Sequence, residues 1–198
     1  MHSIRSWSAG RPSLGAPARR AVPLVSALLG MMLLMLLGAA PLEAQDRDSP
    51  ARWSVSTSLT FPLVRIYQIY INYRIDDRNE ISVGPAFQNY RHESFTANAY
   101  TLILGYRRYL TDGLSVEAEI YPAYNRMYSH LTESYHPGWE LWAEAKVGYT
   151  WNFADDRLFL HPAPGIGFGI YQSNPPPEFF DEIESPIFVP QLLVGARF

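Results

Sequence analysis

The 198-residue chain contains no cysteine, which excludes a disulfide-stapled scaffold. Charge is scarce as well: 18% of residues are Asp, Glu, Lys or Arg and the formal net charge is −3. That is too little basic excess for a nucleic-acid surface and too little charge for a disordered chain. Long hydrophobic runs are nearly missing. A single uncharged stretch, 21–40, reaches the roughly 20 apolar residues that a membrane-spanning helix needs, so a bundle of such helices is excluded. What remains is a chain with 47% hydrophobic and 14% aromatic residues, a mean hydropathy of −0.11, and the length of one domain.

The apolar stretch follows Arg5, Arg11, Arg19 and Arg20 and ends in the small residues Ala39, Ala40 and Ala44. A basic region, an apolar run and a small-residue end read as a secretory signal peptide, residues 1–44, cut after Ala44. The run exceeds the usual h-region, so a retained anchor is the competing reading, weakened by Pro23, Ser26 and Gly30. Removing the leader takes four of the 16 basic and one of the 19 acidic residues, leaving 12 against 18 and a net charge of −6. Lys146 is the one lysine beyond it. Residues 45–51 form a short segment before the folded region, 52–198.

From Arg52 onward the hydrophobic period is two, not 3.6, which predicts strands and essentially no helix. Eight segments alternate. Trp53, Val55, Thr57, Leu59 and Phe61 share a face in the first; Tyr67, Ile69, Ile71, Tyr73 and Ile75 in the second; Ile81, Val83, Pro85 and Phe87 in the third. Tyr100 to Tyr106, Leu114 to Tyr124, Trp139 to Phe153, Leu158 to Ile170 and Phe188 to Phe198 continue the pattern. The apolar faces hold about 45 positions without one charge, where random placement at this composition would put about eight. Lipid imposes such an exclusion, since lysine or arginine costs about 2–4 kcal/mol near the bilayer midplane.

A soluble eight-stranded barrel also alternates, so the polar face must decide which side points outward. Its Ser54, Ser56, Ser58, Gly84, Gly105, Gly148, Gly165, Gly167 and Gly169 suit a narrow lumen in which side chains interdigitate. The apolar face carries two groups of aromatics, one with Trp53, Tyr73, Tyr106, Trp151, Phe153 and Phe198, the other with Phe61, Tyr67, Phe87, Tyr100, Tyr124 and Trp139. These are expected to form girdles at the two membrane interfaces. Connection lengths are expected to alternate too. Tight turns at 76–78, 111–113 and 154–156 would be periplasmic, and longer loops at 91–96, 130–138 and 174–185 external, with one short upper connection near Pro62 to Val64.

The reading is all-β: an eight-stranded antiparallel up-and-down transmembrane barrel. Over 52–198 it resembles the small outer-membrane barrels of the outer-membrane protein A, X and W kind. The resemblance implies the outer membrane of a Gram-negative-type bacterium, outer-membrane lipids as surroundings, and an assembly signal for the barrel-assembly machinery in the last strand, carried by Phe188, Leu192, Val194 and Phe198. Ala196 stands where that signal more often has an aromatic.

Matching faces across 111–113 pairs residues that sum to 224, which places Arg107 opposite Glu117 and Gly113 at a left-handed turn position. The same rule across 76–78 places Arg74 opposite Glu80. With Glu119, Glu140, Glu144, Lys146, His161 and Arg197 these form an inward charge set. Its ordinary role is a salt-bridged closed core; the sharper one is a polar conduit. Pro85, Pro122, Pro162, Pro164 and Pro190 fall on outward strand positions and each removes a ladder donor. They are expected to make bulges or opened rungs near the outer rim, or a lateral opening for a small hydrophobic molecule.

Catalytic candidates lie in the predicted loops: His92, Glu93 and Ser94, and His130, Glu133, Ser134 and His136. A His-x-Ser pair resembles part of the lipid A deacylase arrangement, although solvated loop residues are the commoner case. Two histidines six apart are a weak metal pattern. The loop with Pro175, Pro176, Pro177, Glu178, Phe179, Phe180, Asp181, Glu182 and Glu184 is an adhesive tip or a mobile segment. The expectation is therefore a monomeric, non-enzymatic barrel with a closed polar lumen and a structural or surface role. No catalytic residue, cofactor, metal or nucleic-acid partner is assigned. Transport of a small hydrophobic molecule through the wall comes second and lipid modification third.

Overall fold

Alternation places every second side chain on the same face of a strand, and here one face closes around an interior. A computed structural model describes residues 51–179 and 186–198. The expected leader, residues 45–50, Phe180, Asp181, Glu182 and Glu184 lie outside the described residues. Ten antiparallel strands are formed: β1 (Trp53–Ser58), β2 (Ile66–Gln68), β3 (Tyr70–Arg74), β4 (Asn79–Arg91), β5 (Phe95–Tyr109), β6 (Leu114–Ser129), β7 (Ser134–Tyr149), β8 (Trp151–Phe153), β9 (Leu158–Gln172) and β10 (Ile187–Arg197). β2 and β3 are one stave interrupted at Ile69, and β7 and β8 one stave interrupted at Thr150. The eight staves follow chain order, and β10 pairs with both β9 and β1, so the sheet closes.

The prolines account for the interruptions. Pro85 aligns with Ile69, where the second stave breaks and its N–H reaches only the Pro85 carbonyl. Pro122 lies where the β5–β6 ladder skips from Thr101 to Leu104. Pro162 and Pro164 lie in the interval without a β7–β9 or β8–β9 rung, between Lys146 and Trp151. Pro190 lies just past the end of the β1–β10 ladder. A residue without an N–H cannot complete a rung. These breaks are spread along the wall and are not gathered at the outer rim.

The loop expectations need correction. β4 and β5 are joined by 92–94, and β6 and β7 by 130–133. Both connections are as short as the lower turns, because alternation continues past the upper aromatics with Phe95, Ala97, Met127 and Ser129 turned inward. Among the upper connections only 173–186 is long. Phe61 is also corrected: it is buried in a 3₁₀ turn, Phe61–Val64, and does not stand on the outer face. Thr57 is buried as well, donating to the Gln68 carbonyl at 2.6 Å. Gly113 is not left-handed, as no described glycine has positive φ. It is small because a Cβ there would lie 2.7 Å from the Tyr149 ring and 3.1 Å from the Thr150 carbonyl.

The outer face carries a continuous aromatic row. Tyr67 pairs with Phe87, Phe87 with Tyr100, Tyr100 with Tyr124, and Tyr124 with Trp139, across five consecutive staves. At the other end Trp53 pairs with Tyr73, ring centroids 4.7 Å apart. Between the rows no described outward residue is charged. Trp139 and Trp151 on the sixth stave are separated by about 40 Å of strand, or about 30 Å along the axis at a tilt of about 40°.

Candidate functional site

The lumen is divided into two unlike halves. Its lower half, nearer the turns 75–78, 110–113 and 154–157, is filled by charge. Arg107 on β5 reaches Glu80 on β4 at 2.5 Å and Glu117 on β6 at 2.9 Å. Glu117 also meets His161 Nε2 at 2.5 Å and accepts from the Ser115 hydroxyl at 3.0 Å. Thr150 Oγ1 lies 2.9 Å from His161 Nδ1 and holds the ring's other side. Arg74 stands opposite Glu80 in the ladder, yet its guanidinium stays at 4.0 Å and is partly exposed. The closer partner of Glu80 is Arg107, which is also its neighbour in the β4–β5 ladder.

A second cluster lies above it. Glu119 and Glu144 are direct cross-strand neighbours, two like charges that would repel. Lys146, with its side chain fully buried, compensates both, at 2.6 Å from Glu119 and 3.2 Å from Glu144. It also donates to Gln191 on β10 at 2.8 Å. Tyr121 hydrogen-bonds Glu119 and reaches Glu144 at 2.8 Å. Tyr70 on β3 donates to Glu119 at 3.2 Å and accepts from Gln191 at 2.9 Å. This network crosses from β3 to β6, β7 and β10 and spans the interior. Glycines make room for it: a Cβ at Gly148 would run into His161 and Glu117, and one at Gly165 into Lys146.

The upper half is different, and here the expectation of a polar lumen throughout is corrected. A cavity of about 530 Å³ stands above Tyr121 and Glu144. Phe95, Ala97, Met127 and Phe179 form a buried cluster at its side, with Tyr90 and Trp142 packed against it. Phe61 closes another side, and Gln68, Asn125 and Glu140 add a polar floor. The volume lies within the roughly 300–1,000 Å³ of ligand pockets, and mostly apolar walls with a few polar groups are their usual make-up. Sequence reading missed this cup because Phe95 fell in the expected loop 91–96, and Tyr90, Ala97 and Met127 lay beyond the ends of the strand faces read from alternation. The signal that could have found it is the unbroken inward parity of Phe95, Ala97 and Ala99.

The other candidates fall elsewhere. Arg197 lies at the lower end, its guanidinium 4.9 Å over the Phe159 ring and bonded to Asn152 at 2.7 Å. Phe188, Leu192, Val194 and Phe198 occupy the outward phase of β10 and its end, with Phe188 and Phe198 exposed. In the upper turns, His130 contacts the Glu93 carbonyl at 2.8 Å and Thr96 at 3.3 Å. His92 Nδ1 accepts from the Ser94 backbone at 3.5 Å. Ser134 Oγ and His136 Nε2 approach to 3.1 Å, and the imidazole's further partner is the Thr132 hydroxyl. Among the described residues the hydrogen-bond partners of His136 are the Ser134 and Thr132 hydroxyls, with no carboxylate among them, and Glu133 has a left-handed backbone. No three metal-ligating side chains converge among the described residues.

No protein-family model and no curated protein matches the chain. Among solved structures it is similar to the N-terminal β-barrel domain of Pseudomonas aeruginosa OprF, at 17% identity and a TM-score of 0.47, over 75% of this chain and 100% of that one.

Proposed function

We propose that the protein is an integral outer-membrane barrel whose sealed lower lumen prevents free passage and whose upper cup binds a small apolar molecule. The observation that carries this reading is the vertical division of the lumen. Charge pairs and tyrosines cross the lower half, while a cavity of about 530 Å³ opens above them against Phe95, Met127, Trp142 and Phe179. A chargeless outward band between aromatic rows supports placement in lipid. The barrel is monomeric and non-enzymatic in this reading; the hydroxyl partners of His136, in place of an orienting carboxylate, support the latter. Folding would depend on the barrel-assembly machinery, reading the outward residues of β10.

A lateral route to the cup is favoured by one further observation. The β1–β10 ladder ends at Leu59 and Leu192, so Ile187–Pro190 pair with β9 alone. β2 pairs with β4 alone. The turn Phe61–Val64 follows β1 here, and Phe61, Val64, Ile66 and Ile187 line the cavity. Of the five outward prolines, Pro190 is the one beside this seam.

The test combines two measurements on the purified barrel. Planar-bilayer recording is expected to give no steady conductance, and native mass spectrometry is expected to retain an apolar molecule. A steady open current overturns the sealed base, and absence of any apolar binding overturns the cup. An altered lipid profile in cells producing the protein overturns the non-enzymatic reading.

A further inference from the structure

The cup's floor has a polarity that its walls do not require. Among the described residues lining the cavity there is no lysine, arginine or histidine, whereas two are carboxylates, Glu140 and Glu144. Glu144 is compensated by Lys146 at 3.2 Å. Glu140 is buried, with 7% exposure, and no cation among the described residues reaches it; Asn125 Nδ2 donates to it at 2.9 Å and the Trp142 indole lies beside it. A carboxylate of this kind accepts hydrogen bonds, so the Asn125 amide must turn its nitrogen toward Glu140. Its oxygen is thereby directed away, and Asn125 Oδ1 is left with no donor in a side chain only 2% exposed. Buried acceptors without partners are rare and costly. Glu140, which lines the cavity, lacks a positively charged donor among the described residues.

We infer that the cup takes a cationic amphiphile, a primary ammonium on an apolar body. The ammonium donates to Glu140, and the apolar body lies against Phe95, Met127, Trp142 and Phe179. An anionic head is disfavoured by the two carboxylates, and a neutral hydroxyl satisfies one acceptor without compensating the charge. This assignment rests on the reading of the cup as an apolar-ligand site and adds its head-group chemistry.

Octylamine, octanol and octanoate share one tail and differ in head charge, so calorimetric titration of each into the purified full-length protein in amphipol separates the two readings. Octylamine is expected to bind about tenfold more tightly than octanol, with octanoate weakest, as a charge-assisted contact to a buried carboxylate requires. Glu140→Gln is expected to bring octylamine down to the level of octanol while leaving octanol within about twofold of its original affinity. Octylamine binding no tighter than octanol overturns the head-group assignment and leaves the cup standing. Equal weakening of both probes by Glu140→Gln does the same. Failure of all three probes to bind overturns the cup itself. The ranking in the unmodified protein does not depend on whether the variant folds.

Discussion

Arg107 and Glu117 face each other across the 110–113 turn at 2.9 Å, and the same guanidinium reaches Glu80 at 2.5 Å on its other side. One cation thus compensates two carboxylates on two neighbouring strands. Both carboxylates are buried; Arg74 stays 4.0 Å from Glu80, and among the described residues Glu117 keeps only His161 and the Ser115 hydroxyl besides Arg107.

Arg107→Ala is therefore expected to destabilise the barrel by about 3–5 kcal/mol, the usual cost of stranding one partner of a buried ion pair. Urea titration followed by heat-modified gel mobility reads this directly. A mobility transition at the unmodified midpoint would count against the pairing.

Asp76 lies in the 75–78 turn, where the Asn79 side chain and then the Arg78 and Asn79 backbone N–H groups hold its carboxyl below the usual value of 3.8. A carboxyl depressed in the folded state adds stability that is present above its unfolded pKa and is lost as pH falls through the folded one. Asp76→Ala is expected to lower stability modestly at neutral pH, with the difference from the unmodified protein shrinking below about pH 4. A difference that is constant from neutral pH to pH 2 would remove the carboxylate from the turn's stability.

The lower turn between β8 and β9 runs through Ala154, Asp155 and Asp156 with φ of 54°, 54° and 63°. The left-handed region costs an alanine roughly 1 kcal/mol that glycine does not incur. Ala154→Gly is thus expected to raise stability by up to about 1 kcal/mol, less the entropy glycine adds to the unfolded chain. A lowered urea midpoint would contradict the assigned backbone.

Trp142 lines the cup and packs against both buried clusters of the lumen. Trp142→Ala should weaken an apolar probe such as octanol by about tenfold, the order of effect of losing one aromatic wall. Calorimetry reads the affinity, and an apolar probe should also change the indole fluorescence of the unmodified protein. An unchanged affinity would place the probe elsewhere.

Much of the barrel is legible along the chain. The faces of Tyr67 to Ile75 and of Leu114 to Tyr124 fall as alternation predicts, and the sum rules for the two lower hairpins place Arg107 against Glu117 and Arg74 against Glu80. The misreadings have identifiable physical causes. Phe61 leaves the outer face because Pro62 starts a 3₁₀ turn and ends the period-two chain. Polar outward residues above the aromatic row, among them Asn89, Asn98 and Arg126, resemble loop composition although they stand on strands. Those upper strand ends carry Tyr90, Phe95, Ala97 and Met127 of the cup's wall, so the site escaped while the fold did not.

Which face a residue occupies is a local property, set by the pleat and carried past each tight turn by parity, and the chain alone determines it from Tyr67 to Phe198 with few exceptions. Which side chains meet across the lumen is not local. Gln191 bonds Tyr70 from 121 positions away, and Lys146 turns from its ladder neighbour Glu117 to Glu119 and Glu144. Those meetings depend on how the closed sheet staggers its strands, and the stagger becomes defined only when β10 meets β1. Tertiary structure therefore decided that charge fills one half of the interior and that the other half holds a mostly apolar cavity with Glu140 in its lining.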